Sequence, residues 1–375
     1  VNIPDNINWP NGLDAQTFLN DFWQKKPLLI RQAFVDFETP ITPDELAGLS
    51  LEEDTTPRLI TCDSGGQYHL ENGPFKEDRF GQLSDNNWSL LVTDVEKHLP
   101  DLAQYLCPFQ FIPNWRIDDL MISYAPNGAS VGAHVDEYDV FLLQASGNRQ
   151  WMIDSSDNPD VSLVPDATLK LLANFVASDT YDLEPGDMLY LPPGMPHHGI
   201  AISDNCTTWS VGFRAPTVAD TVHAFAEIIA DKLESQRYKD PALTVCEPGK
   251  IDKQSLDAFK TLWQNATKLH DDDVANIIGR LLTVPAIDIE RGEYNEQEKM
   301  QHQWRKHSFS RFAYTQQYDV TTLYADGDVV DCSAKLAIAL CNNQSVTADE
   351  LDANDTQVLM DLIDLGCLTP DEDYD

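Results

Sequence analysis

The sequence predicts a mainly β first half, of antiparallel barrel or jelly-roll type with flanking helices, followed by a helical segment and a small α+β end. Three observations carry this. From about residue 110 the chain breaks into short apolar runs (DDLMISYAP, DVFLLQASGNRQWMI, TYDLEPGDMLYLPPGMPHHGIAI, TTWSVGF) separated by the turn signals PNG, SGN, EPGD and PPG. After Pro216 the strand texture stops, and VADTVHAFAEIIADKL, SLDAFKTLWQNATKL and DVANIIGRLLT carry helical periodicity. The last seventy residues mix a hairpin signal at ADGD with helical runs at SAKLAIALC and DTQVLMDLIDLG. Ahead of the strands, Phe18, Phe22 and Trp23 have helical spacing and the following PLLIR reads as a strand. ITPDELAGLS then supplies a capping box, with Thr42 as N-cap, Pro43 at the first helical position and Glu45 reaching back. The RQWMI strand is expected to pair with DVFLLQ across the SGN turn.

A chain of 375 residues is long enough for two or three domains. No run of eighteen apolar residues suggests a membrane span, and VNIPDNINWPNGLD does not read as an export signal, so a cytoplasmic setting is expected. The seven cysteines are scattered without a CxxC pair, which argues against a disulfide framework or a zinc–thiolate site. The formal charge of −37 repels nucleic acid and favours a basic partner, although an acidic surface also serves solubility alone. Residues 311–375 hold two basic and fourteen acidic residues, net −12, so phosphate contacts are not expected there either.

VGAHVDEYDV, residues 131–140, places His134 and Asp136 two positions apart in a strand-like run, so that both would share one face. Such a pair is either a surface hydrogen bond or two ligands awaiting a third. DMLYLPPGMPHHG offers that third, because an apolar strand there runs into a Pro-Pro-Gly turn that delivers His197 and His198 to a rim. We take His197 as the ligand and His198 as its neighbour. A histidine, a carboxylate two residues on and a distant histidine make a facial triad for non-haem Fe(II) with open positions for a bidentate 2-oxo acid and dioxygen. Arg149, in RQWMI, offers a planar fork for the distal carboxylate of 2-oxoglutarate; a surface salt bridge is its ordinary alternative.

The segments FLNDFWQKKPLLIRQAF, NWRIDDLMIS, VGAHVDEYDVFLLQASGNRQW, LEPGDMLYLPPGMPHHG and SVGFRAP resemble, in order and spacing, the bacterial ribosomal oxygenases of the Jumonji-C (cupin-type) 2-oxoglutarate oxygenase group. The resemblance implies a double-stranded β-helix with Fe(II) on His134, Asp136 and His197 and with 2-oxoglutarate on Arg149. It implies 2-oxoglutarate and O2 as co-substrates, and hydroxylation of a ribosomal protein, an arginine of large-subunit protein sixteen being the best match. It further implies a Jumonji-C domain over 1–215, a helical dimerisation domain over 216–305 that makes a homodimer, and a winged-helix-like domain over 306–375. Two features depart from the family pattern: His198 stands where an acid is expected, and the loop APNGAS is poorer in glycine. Ser123 is an expected cofactor contact. Tyr138, sharing parity with the triad, and Asp139, on the opposite parity, are candidate contacts for a cationic substrate side chain. Three alternatives stay open: a ribosomal-protein histidine hydroxylase, a demethylase with the same metal centre, and a non-catalytic metal-binding cupin that senses or binds a partner.

Overall fold

Residues 139–146 (DVFLLQAS) are apolar on both faces, which only a strand covered on both sides can satisfy. The computed structural model describes residues 6–233, 235–240, 245, 247–285, 294, 303–317, 320–343 and 345–371. It divides into two compact units, Val1–Ala215 and Pro216–Asp375.

In the first unit the strands are β1 (Leu28–Ile30), β2 (Pro57–Cys62), β3 (Tyr68–Asn72), β4 (Trp88–Val92), β5 (Ile117–Ala125), β6 (Asp139–Ser146), β7 (Arg149–Ile153), β8 (Asp179–Leu183), β9 (Met188–Leu191), β10 (His197–Ala201) and β11 (Cys206–Phe213). Eight form one antiparallel sheet in the order β1-β9-β6-β11-β5-β4-β2-β3, and the others form a smaller sheet, β10-β7-β8. This is a β-sheet-rich cupin-type fold. Alternation on β6 sorts its side chains: Val140 and Leu142 pack with Trp151, Ile153 and Leu183 of the small sheet, while Phe141 and Leu143 point into the larger core on the other side. That larger core is aromatic. Phe18 meets Tyr190 edge-on at 4.8 Å, and Phe141 lies 4.9 Å from Tyr190 and 5.0 Å from Phe109. Phe18 comes from α1 (Ala15–Asp21), started by the Asp14 carboxylate accepting from the Thr17 amide at 2.7 Å. The capping box of α2 (Pro43–Leu49) is present, with Glu45 and Thr42 exchanging side-chain and backbone hydrogen bonds. Two single turns follow, α3 (Glu77–Phe80) and α4 (Val95–His98).

One expected pairing is corrected. β7 does not pair with β6; it runs between β10 and β8 in the other sheet. The cause lies at Gly147, whose φ of +59° turns the chain sharply. The backbone passes so close to the 204–205 segment that a Cβ at 147 would sit 2.8 Å from the Asp204 carbonyl. The turn is a corner between sheets rather than a hairpin within one.

The second unit holds α5 (Val218–Leu233), α6 (Lys253–Ala266) and α7 (Asp271–Thr283), then β12 (Gln303–Lys306), β13 (Phe312–Gln317), β14 (Val320–Ala325), β15 (Asp328–Val330), α8 (Ala334–Asn342), β16 (Ser345–Thr347), α9 (Ala353–Asp364) and β17 (Leu368–Pro370). The hairpin expected at ADGD joins β14 to β15. α7 presses on β14 at Gly279, where any Cβ would meet the Tyr324 ring at 2.4 Å. No residue of α5 or α6 is buried, and Leu256, Phe259, Leu262 and Trp263 of α6 stay 42–64% exposed. Much of the expected helical stretch beyond Pro285, and the end of the acidic tail, lie outside the described residues. Among those described, no helix is long and apolar enough to cross a membrane.

Candidate metal centre and active site

The sequence places His134 in a strand, and the structure modifies this. Gly132, at φ +90°, lies between two isolated antiparallel bridges, Ser130 to Ile200 and His134 to His197, the latter at the start of β10. The His134 and His197 backbones exchange N–H···O bonds of 3.0 Å in each direction, which brings the imidazole centroids to 4.2 Å. Asp136 lies in the turn just before β6, its carbonyl accepting from the Gly194 amide of the Pro-Pro-Gly turn at 2.8 Å. Its carboxylate faces both rings, 3.9 Å from His134 Nε2 and 3.5 Å from His197 Nε2.

The protonation pattern follows from the partners. His134 Nδ1 is 3.0 Å from the Gly132 carbonyl and His197 Nδ1 is 2.9 Å from the Met195 carbonyl. A carbonyl only accepts, so each Nδ1 carries the proton and each Nε2 turns a lone pair towards the partner ligands. Burial, with the nearby His134, drives the His197 imidazole down to about 3, so it stays neutral. Burial likewise raises the Asp136 carboxyl, against the opposing pull of His134. One donor atom from each residue lies within 4.8 Å of the others, the spacing of groups converging on a point about 2 Å from each. Two neutral imidazoles and one carboxylate suit a divalent transition metal of the Fe(II) kind, with one side left open.

The triad borders a cavity of about 110 Å³ between the two sheets. Arg149 enters it from β7; the residue is 3% exposed, and its Nε and Nη2 have no hydrogen-bond partner among the described residues. A buried guanidinium with open donors is a strong carboxylate receptor, because the burial cost is recovered only when an anion binds. Ser123 also lines the cavity, its hydroxyl 3.4 Å from the Thr208 carbonyl. Tyr138 lies on its wall, with its hydroxyl interacting with the Asp136 carboxylate.

Asp139 is a correction. It faces the opposite side of β6, is fully buried, and accepts from Tyr190 Oη at 2.6 Å, Gln24 Nε2 at 3.0 Å and Arg116 Nη2 at 3.1 Å. With those partners it anchors the front section to the barrel and cannot meet a substrate. His198 alternates outward as well, and its ring packs edge-on to Phe175 at 6.0 Å. The sequence reading missed Asp119 and Met121 of β5 and Arg58 of β2, which line the cavity opposite the small sheet. The parity of DDLMIS, counted from Ser123, would have exposed the first two.

Facing sheets around a two-histidine, one-carboxylate centre and a buried arginine define the class: a JmjC-type oxygenase fold. The JmjC domain family matches residues 104–221, and the AraC-like ligand binding domain matches residues 175–277. A curated relative, the ribosomal protein uL16 3-hydroxylase of Escherichia coli (strain K12), is 37% identical over 258 residues, covering 68% of this chain and 66% of its own length. An X-ray structure of E. coli ycfD superposes with a TM-score of 0.83 at 30% identity over 96% of this chain and 99% of that one. A second structure, YcfD, a ribosomal oxygenase from Escherichia coli in complex with cobalt and 2-oxoglutarate, gives 0.82 at 29% identity, covering 97% and 98%. The chain belongs to the ribosomal oxygenases of the JmjC group.

Proposed function

We propose that this protein is an Fe(II)- and 2-oxoglutarate-dependent oxygenase that hydroxylates an arginine side chain of ribosomal protein uL16. The observation that carries the reading is one cavity holding both the His134–Asp136–His197 donor set and the buried guanidinium of Arg149, whose Nε and Nη2 have no partner among the described residues. When bound, the metal would activate O2, one oxygen atom going to the 2-oxo acid as it loses carbon dioxide to give succinate and the other converting the substrate C–H to C–OH. The chain's own contribution is placement. His134, Asp136 and His197 hold the metal on one side, their Nδ1 protons committed to backbone carbonyls so that the imidazoles do not flip. Arg149 grips the far carboxylate of 2-oxoglutarate, with Ser123 beside it. Val140, Leu142 and Trp151 keep that end of the cavity dry.

A cationic side chain is favoured over a neutral one by Asp119, a carboxylate on the cavity wall, and by the Tyr138 ring, which gives an alkyl–guanidinium chain a surface to lie on. This supports arginine over histidine. A neutral histidine would add no positive charge beside this partly buried carboxylate, whose charged neighbours include Asp94 and Asp118 as well as Lys97. The overall charge of −37 agrees with a basic ribosomal substrate and opposes direct nucleic-acid binding. Acting on a ribosomal protein would put the enzyme in the cytoplasm. The exposed apolar residues of α6, spaced 256, 259, 263 along one face, are best covered by a second copy of the chain, giving a homodimer.

The test is incubation with uL16, Fe(II) and 2-oxoglutarate. Intact-mass and fragment spectra should show one added oxygen on an arginine, with matching release of carbon dioxide, and His134→Ala should abolish both. An added oxygen on histidine, or turnover that survives His134→Ala, would overturn the reading.

A further inference from the structure

β5 is longer than its neighbour β4. The last register pair between them is Val92 with Ile122, and continued pairing would set Thr93 against Met121 and Asp94 against Leu120. Instead the chain turns away at Asp94, which adopts a left-handed conformation at φ 58°, and enters the single turn α4. The Leu120 amide is thereby left without a strand partner in the middle of the wall that carries Asp119 and Met121. A side chain replaces the missing strand: Glu96 Oε2 accepts from the Leu120 amide at 2.9 Å, and Glu96 is itself buried, 6% exposed. The same corner touches Asp119, since the Asp94 amide lies 3.5 Å from Asp119 Oδ2. On the other side, the Asp119 carboxylate lies so near β11 that a Cβ on Gly212 would be 3.0 Å from Oδ1.

We infer that Glu96 is a positioning residue for substrate selection: by completing the edge of β5 at Leu120, it holds the Asp119 carboxylate towards the cavity, where it reads a cationic side chain. This rests on the assignment of Asp119 to the substrate's guanidinium made above. A carboxyl group suits the task better than a carboxylate. Burial pushes Glu96 up to about 8, with Lys97 and the Leu120 amide opposing and Asp119 and Asp94 reinforcing, so at neutral pH it holds a proton and adds no second negative charge behind Asp119. Glutamine therefore copies the working form, methionine copies its length without an acceptor, and aspartate keeps the acid but falls one methylene short.

The experiment measures KM and kcat for two uL16 peptides that differ only in arginine or citrulline at the target position. It uses the full-length wild type, Glu96→Gln, Glu96→Met and Glu96→Asp. Wild type and Glu96→Gln should favour arginine to the same extent. Glu96→Met should raise KM for the arginine peptide about tenfold, with kcat within about twofold, and erase most of the arginine preference. Glu96→Asp should give a smaller shift in the same direction, and it decides the matter if the methionine variant does not fold. The inference is overturned if Glu96→Met, or in its place Glu96→Asp, keeps the wild-type preference, or if Glu96→Gln loses it. Wild-type enzyme with no arginine preference would instead bring down the assignment of Asp119 beneath it.

Discussion

Arg149 and Glu96 are both buried ionisable residues, yet the chain handles them in opposite ways. Arg149 has two donors, Nε and Nη2, without a partner among the described residues, so its burial is compensated when an anion binds. Replacing it with glutamine should weaken 2-oxoglutarate binding by about 2–3 kcal/mol, roughly 30- to 150-fold, as titration calorimetry on the metal-loaded protein would show. Glu96 sheds its charge instead. Its folded value of about 8 lies above the 4.5 of an unperturbed glutamate. Between those values the folded state binds a proton that the unfolded state has released, so stability falls as pH rises through that window. Glu96 alone contributes a slope of up to about 1.4 kcal/mol per pH unit. Thermal unfolding from pH 5 to 8 should show Glu96→Gln with a flatter decline than wild type. Residues of this kind differ in legibility. His134, Asp136 and His197 announce themselves because two lie in one short motif and the third in a Pro-Pro-Gly turn. Glu96 carries no local signal, since its role is defined by where β4 stops beside β5.

The strands themselves were readable from apolar runs and turn residues, and β5, β6, β7, β9, β10 and β11 all fall where those runs lie. Partnership between strands was not. SGN reads as a hairpin turn by composition, and only the close approach of Gly147 to the 204–205 backbone makes it a corner. Gly147→Ala should therefore cost more than an exposed turn substitution, about 2–4 kcal/mol from left-handed strain plus overpacking against backbone, measured as a lower denaturation midpoint. Asp139 teaches the same lesson within one element. Neighbours on a strand face opposite ways, so Tyr138 meets the cavity while Asp139 joins Tyr190, Gln24 and Arg116.

Across the molecule, composition spoke about partners more than about shape. A charge of −37 should draw a basic protein at long range, and salt should screen that attraction. Raising ionic strength from about 0.02 to 0.2 M should increase KM for intact uL16 several-fold while kcat changes little. Exposed aromatic surface on α6 makes a separate demand. Under the proposed homodimer, Trp263→Asp should shift the protein towards monomer in sedimentation velocity, because a charge within an apolar contact is not tolerated. The helical periodicity of 253–266 was visible in sequence, but which side would lack cover was not, because that depends on what the rest of the second unit buries.

The reciprocal amide bonds between residues 134 and 197 have one more effect. Because each imidazole rides on a backbone stapled to the other's, thermal breathing of the rim carries both rings as a single jaw, and the gap between them stays nearly constant. An incoming ion would therefore meet a ready-made claw, and could be stripped by a chelator and replaced many times over without the barrel having to refold around it.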